Sequence, residues 1–264
     1  MPRFAANLWY LFQEVDLMDR FEAAAKAGFE AVEIQFPYQW PSADLAARLD
    51  AFGLRQVLIN APAGDWEAGE RGLAALPGRQ EEFRDAIGQA IDYGRALSCP
   101  AIHVMAGVLA DDGDRQRAME TYAENLAFAA ARCSEEGIRV LIEALNPLDA
   151  PGYLIGSTAE ARSVIDAAGH GNLTMQYDLY HGAMNGDDLI ETIGANLGVI
   201  GHMQVAGVPG RHEPDGQSGG GGINYGALFE AIDGLGYAGW IGCEYRPRPG
   251  TVEGLGWAAA YGIG

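Results

Sequence analysis

The sequence predicts an α/β protein, a single (β/α)8 TIM barrel spanning residues 1–264. Three observations predict it. Short apolar runs rich in Val, Ile and aromatics alternate with longer stretches whose apolar residues recur three and four apart. Alternation of that kind gives parallel strands joined by helical crossovers. Eight strand candidates in 264 residues match a barrel, which typically takes about 250. The first apolar run leads into ANLWYLF with no G-x-G-x-x-G turn, which argues against an open doubly wound sheet.

The elements follow in order. RFAANL (3–8) is the first strand, and LMDRFEAAAKAG (17–28) is an Ala-rich helix with a glycine stop. AVEIQF (31–36) and RQVLINA (55–61) are the next two strands. EEFRDAIGQAIDYGRAL (81–97) carries helical spacing into the strand AIHVMAG (101–107). DGDR (112–115) reads as the solvated start of the helix RQRAMETYAENLAFAAARCSEEG (115–137), which leads to RVLIEAL (139–145). STAEARSVIDAAG (157–169) opens with Ser157 or Thr158 as cap, and Glu160 is placed to complete a capping box before LTMQYD (173–178). VIGHMQVA (199–206) is the seventh strand, Asn224 or Tyr225 starts the helix YGALFEAIDGLG, WIGCEY (240–245) is the eighth strand, and a last helix follows Gly250. No shift in composition marks a second domain.

Lys and Arg total 17 against 36 Asp and Glu, a net charge of −19. Such a field repels nucleic acid and anionic membranes, so neither is expected as a partner. A small anionic substrate stays compatible, because a few arginines or a metal set the local sign. Cys99, Cys133 and Cys243 form no C-x-x-C pair, which suggests a reducing compartment without disulfides. The N-terminus lacks the pattern of a signal peptide, and no stretch approaches the roughly 20 apolar residues of a membrane span. A cytoplasmic protein is expected, and a homo-oligomer from base rates alone.

In a barrel of this kind chemistry gathers where strands end and βα loops begin. Glu143 follows VLI on the fifth strand, Asp178 closes the sixth, Gln204 lies on the seventh and Glu244 ends the eighth. Carboxylates crowded in a crevice repel one another and cost several kcal/mol to desolvate unless a positive group joins them. A divalent cation does so, and oxygen ligands favour Mg²⁺, Mn²⁺ or Ca²⁺. His181, in DLYHGAMNG, is placed to face the same pocket. Arg211, in VPGRHEPDG, suits bidentate pairing with a substrate carboxylate. His103 and His202 read as interior histidines rather than ligands. Glu33 points into the barrel or pairs with an arginine, Gln35 is left unplaced, and Asn7 and Asn60 are weaker candidates for substrate contact. SGGGG (218–222) lacks the lysine and spacing of a phosphate loop and reads as a mobile loop near the pocket.

MPRFAANLWYLF, KAGFEAVEIQFPY, ALPGR, HVMAG, LIEALNP, HMQVAGVPGRHEPD, INY and GWIGCEY followed by EGLGW together resemble the hydroxypyruvate isomerase family of xylose-isomerase-like barrels. The resemblance runs from residue 2 to about residue 257. It implies a metal site at Glu143, Asp178, Gln204 and Glu244, occupied by Mg²⁺ or Mn²⁺. It also implies that Glu143 and Glu244 act as the acid–base pair, and that His181 and Arg211 contact substrate. Two departures stand out. The family pattern HEPD-x-GEINY becomes HEPDGQSGGGGINY, so the Gly216–Gly222 loop is longer and Gly222 replaces an acid. Trp9 and Tyr10 also bring bulk to the mouth.

The expected reaction is a 1,2 proton shift interconverting hydroxypyruvate and tartronate semialdehyde. Isomerisation of a 2-oxo-tetronate, ketose 3-epimerisation and non-catalytic binding of a sugar acid are the alternatives. An endonuclease on a similar barrel would want several histidines and a basic face, against five histidines and a charge of −19 here.

Overall fold

The computed structural model describes residues 1–109, 114–216, 222–248 and 250–264. Eight strands run in chain order: β1 Arg3–Asn7, β2 Ala31–Ile34, β3 Arg55–Asn60, β4 Ala101–His103, β5 Arg139–Glu143, β6 Leu173–Asp178, β7 Ile200–Val205 and β8 Trp240–Cys243. All pair in parallel with their neighbours, and β8 returns to β1 from Arg3↔Trp240 to Ala6↔Cys243, closing the barrel. The expected fold class is therefore the observed one.

Helices fill the crossovers: α1 Leu17–Lys26, α2 Ser42–Phe52, α3 Gln80–Ala96, α4 Arg115–Ser134, α5 Thr158–Ala168, α6 Leu179–Met184, α7 Leu189–Asn196, α8 Tyr225–Gly234 and α9 Thr251–Gly254, the last running into a 3-10 helix at Leu255–Tyr261. Three of them lie outside the segments singled out from the sequence. α2 buries only Leu45 and Leu49, and α7 only Leu189 and Ile193, pairs too sparse to make a periodic pattern. α6 starts directly off the end of β6, with no linker to announce it.

The caps resolve two open choices. Ser157 starts α5, accepting from the Glu160 amide at 3.3 Å, while Glu160 Oε2 accepts from the Gly156 amide at 2.8 Å. Asn224 caps α8, accepting from the Ala227 amide at 3.1 Å. Of the DGDR stretch, Asp112 and Gly113 lie outside the described residues, and Asp114 caps α4 by accepting from the Arg117 amide at 3.0 Å. The SGGGG loop also lies outside the described residues save Gly222.

Several strands stop sooner than their apolar runs. β4 ends at His103 and β8 at Cys243, because the chain beyond leaves the ladder to build the mouth. Single bonds persist past those ends, from the Val104 amide to Leu141 O (2.8 Å) and from the Glu244 amide to Val205 O (3.1 Å).

Alternation along each strand separates two cores. On β5, Val140 and Ile142 join the main core beneath the helices, with Phe21, Phe83, Tyr122 and Phe229. Leu141 instead packs with Leu58 and Ala101, and Ala5, Ala31 and Val57 form a second small cluster apart from the main core. Glu143 shares the face of Leu141, so the interior turns from apolar to polar toward the strand ends. Glu33 and Gly242 meet in that polar layer: a Cβ on Gly242 would lie 2.1 Å from Glu33 Oε1. Gly242→Ala is therefore expected to lose about 1–3 kcal/mol in equilibrium denaturation, as overpacked cores do. An unshifted midpoint would show that Glu33 yields at no cost.

Among the described residues no helix is long and apolar enough to cross a membrane. The three cysteines are buried free thiols.

Candidate active site

Four consecutive strands deliver the acids and amide singled out from the sequence. Glu143 is the last residue of β5, Asp178 the last of β6, Gln204 lies near the end of β7, and Glu244 follows β8 directly. All four are buried. Asp178 doubles as the cap of α6, its Oδ1 accepting from the Tyr180 amide at 2.8 Å. That bond holds the carboxylate in one orientation and leaves Oδ2 toward Arg211 and His181.

Arg211 meets these acids rather than solvent. Its Nη2 lies 2.8 Å from Glu244 Oε2 and 3.5 Å from Asp178 Oδ2. Its guanidinium carbon is 5.3 Å from the Tyr10 ring centre and 5.0 Å from that of Tyr180. The residue sits at φ +54°, a left-handed backbone that costs a side-chain-bearing residue about 1–3 kcal/mol. Two backbone bonds fix the turn, from the Gly207 amide to His212 O (2.7 Å) and from the Arg246 amide to Arg211 O (2.8 Å). Gln35, left open from the sequence, donates through Nε2 to the other oxygen of Glu244.

His181 is buried beside Asp178, with Nε2 3.7 Å from Asp178 Oδ2. Its Nδ1 faces the backbone N–H of Asn146 at 3.1 Å, and a peptide N–H only donates. Nδ1 is therefore the acceptor, and the neutral ring carries its proton on Nε2, on the side of the acids. One ligand atom each from Glu143, Asp178 and His181 lie within 4.8 Å of one another. The tautomer makes His181 a hydrogen-bond donor there more readily than a metal ligand.

Burial dominates the electrostatics. It pushes Glu244 up to about 8 and Asp178 up to about 6, with Arg211 opposing the rise in both. Glu143 is raised well above the carboxylate range by burial, then by Asp178 and Glu244. Burial opposes the charge on Arg211, but Glu244, Asp178, Tyr10 and Glu143 outweigh it, and its pKa is raised. Burial lowers His103 to about 3, with His202 adding to it, and lowers His181 well below its usual value, with Arg211 and His103 adding. The positive charge nearest the acids is thus a single arginine.

Glu143 Oε1 and Asp178 Oδ2 are buried and lack hydrogen-bond partners among the described residues. Orphaned carboxylate oxygens in an oxygen-rich set fit a hard divalent cation. Gln204 stands at one remove. Its Oε1 accepts from Gln176 Nε2 at 2.6 Å, and its Nε2 donates to Glu33 Oε2 at 2.9 Å. Glu33 also accepts from Asn7 Nδ2 at 3.1 Å and lies 2.5 Å from His202 Nε2. Glu33, His202 and Asn7 are thus interior groups that hold the Gln204 amide, and none of the three lines the cavity. His103 is interior as well, yet it does line the cavity, with Nε2 unpartnered and 3.8 Å from Glu143 Oε2.

The cavity above these groups has a volume of about 690 Å³. Glu143, Glu244, His181 and Arg211 line it, whereas Asp178 and Gln204 sit behind its wall. Trp9 and Tyr10 line it too, as their place in ANLWYLF suggested, and so does Asn60. Gln176, Trp66 and Arg71 were missed. Gln176 lies two residues before Asp178, and alternation puts both on one face, so period two would have found it. Trp66 and Arg71 belong to the loop after β3, where no periodicity reports which side chain turns inward.

A closed parallel barrel with acids gathered at the C-terminal ends of its strands has the layout of a barrel enzyme. The profile of the xylose isomerase-like TIM barrel family matches residues 21–261, and the chain belongs to that family. It is 51% identical over 261 residues to the 2-oxo-tetronate isomerase of Cupriavidus necator, covering 99% of each chain. It is 43% identical to the hydroxypyruvate isomerase of Escherichia coli, covering 99% of this chain and 100% of that one. A crystal structure of an AP endonuclease, family 2, from Brucella melitensis superposes with a TM-score of 0.95 at 45% identity, covering 99% of both chains.

Proposed function

We propose that this protein is an isomerase of a small hydroxy-oxo acid, moving a carbonyl between adjacent carbons by a 1,2 proton shift. The observation that carries the reading is the convergence of Glu143, Asp178 and Glu244 with Arg211 at one buried mouth, in a chain 51% and 43% identical to two named isomerases of such acids. Glu143 and Glu244 are the acid–base pair. One takes the proton from the carbon bearing the hydroxyl, and the other gives a proton to the former carbonyl carbon. The hydroxyl proton crosses between the two oxygens of the enediolate, so the atoms balance. His181 donates from Nε2 to a substrate oxygen, and Arg211 contacts the substrate while opposing the rise that burial imposes on Glu244 and Asp178. Glu143, Asp178 and Glu244 would hold a divalent cation, Mg²⁺ or Mn²⁺, with Gln204 Oε1 offering the lone pair that its bond from Gln176 leaves; the charge would supply stabilisation for negative oxygen.

Hydroxypyruvate, interconverting with tartronate semialdehyde, is the substrate expected from the sequence. A four-carbon 2-oxo-tetronate is the second reading, favoured by the higher identity to a 2-oxo-tetronate isomerase. Both acids present the same reacting atoms. The test is turnover of each by the purified protein after chelation and again with Mg²⁺ or Mn²⁺. Metal-restored turnover of at least one acid is expected, and the larger kcat/KM names the substrate. A folded protein that turns over neither would sink the reading. Phosphodiester cleavage on DNA is disfavoured by the net charge of −19. A cytoplasmic location and a homo-oligomer complete the proposal, checked by cell fractionation and by light scattering.

A further inference from the structure

We propose that Arg71 is the anchor for the substrate carboxylate, and so the residue that selects acids over neutral sugars of the same length. The proposal takes its ligand class from the isomerase reading above. Three arginines line the cavity: Arg71, Arg211 and Arg246. The two histidines on its wall, His103 and His181, face the acids instead, at 3.8 Å from Glu143 Oε2 and 3.7 Å from Asp178 Oδ2.

Arg211 is already committed, with one nitrogen shared between Glu244 and Asp178. Pulling it onto a substrate carboxylate would strip the buried acids of their counter-charge. Arg246 is exposed, and its side chain has no hydrogen bond or ion pair among the described residues to hold it in one rotamer. Arg71 differs from both. Its guanidinium carbon stacks 3.8 Å from the centre of the Trp66 ring. Its Nη1 donates to Trp66 O at 3.1 Å and to Glu70 O at 2.7 Å. No acid among the described residues pairs with it. The remaining edge, Nε and Nη2, is the edge that fits a carboxylate with two parallel bonds.

The loop that carries Arg71 is fastened on both sides. Gly72 stands at φ +126°, and a Cβ there would lie 2.3 Å from Met105 O, so the backbone presses directly on the chain after β4. Its amide bonds Ala63 O at 3.0 Å, and the Ala75 amide bonds Ala106 O at 2.8 Å. Glu70 is gripped by Arg79, which leaves it no call on the neighbouring guanidinium. Trp66 continues into an aromatic wall, 5.1 Å from Phe36, which lies 6.0 Å from Trp9. The result is a preorganised, uncompensated cation at the end of an aromatic wall, and preorganisation spares the ligand the ordering cost of a long side chain.

The experiment is calorimetric binding of erythronate and its primary amide to the Mg²⁺- or Mn²⁺-loaded protein, for wild type, Arg71→Met, Arg71→Lys and Arg246→Met. Wild type is expected to hold the acid more tightly than the amide. Arg71→Met is expected to cut that preference about tenfold or more, the worth of a charge-assisted pair. Arg71→Lys should fall between, since it keeps the charge and loses the fork; it also decides the matter if the methionine variant unfolds. Arg246→Met should move the preference less than about threefold. A preference retained in both Arg71 variants, or lost in Arg246→Met, overturns the assignment, as does a wild type that binds both ligands equally or neither. Tight, Arg71-dependent binding of the acid without turnover of any hydroxy-oxo acid would bring down the isomerase reading and leave the anchor standing.

Discussion

Glu143→Gln and Glu244→Gln are each expected to lower kcat by about 10²–10⁴-fold, the usual contribution of a positioned general acid or base. Both changes keep side-chain volume and hydrogen-bonding shape, so binding of the acid should persist. The reason lies in the geometry. Glu244 stands 2.8 Å from Arg211 through one oxygen and accepts from Gln35 through the other, which aims the carboxylate. Burial raises it to about 8, with Arg211 opposing, which gives it a basicity near neutral pH that an exposed glutamate lacks. Exchange of substrate hydrogen in D₂O separates the two roles: the variant that lacks only the returning acid should still exchange the abstracted proton. Undiminished turnover in both variants would remove the acid–base assignment.

The second large effect is on stability. Addition of Mg²⁺ or Mn²⁺ at saturating concentration is expected to raise Tm by on the order of 5–10 °C at pH 8, and by much less at pH 5. The sign follows from the protons. Asp178 at about 6 and Glu244 at about 8 lie above their unfolded values of 3.8 and 4.5. Between those limits the folded protein holds protons that the unfolded chain has released. Stability contributed by these groups is therefore complete below pH 4 and lost as pH rises toward 8. A cation that binds the ionised carboxylates restores what is lost, so its effect grows with pH. Glu143→Gln removes one buried acid, so it should raise the metal-free Tm at pH 8 and shrink the metal increment. Differential scanning calorimetry in chelator and in metal gives both numbers. A Tm insensitive to divalent cations across that range would argue that the orphaned oxygens of Glu143 and Asp178 serve something other than a metal.

The barrel was legible because its signals are local. Each strand is a short, mostly apolar run such as RVLIE, each long helix repeats its apolar residues every three or four positions, and strict alternation of the two leaves few topologies. The acids were legible for the same reason: a polar residue at the end of an apolar strand stands out, and three acids and an amide on four consecutive strands must share a mouth once the strands are parallel. Gln204 shows where that logic thins. Its place near the strand end could be read, but the network through Glu33, His202 and Asn7 that holds its amide joins strands far apart in the chain.

Three features were decided by tertiary structure alone. Arg211 turns onto Glu244 and Asp178 because its left-handed turn is pinned from β8's side, through the bond of the Arg246 amide to Arg211 O. The proton on His181 is set by a peptide N–H from the loop after β5. Arg71 faces the cavity because Gly72 presses on the chain after β4. The sequence by itself determined which elements form and which strand ends carry charge, since both depend on spacing along the chain. Which cation neutralises which acid, and which cation is left for a substrate, depends on distances across the barrel, and those exist only once eight strands have closed.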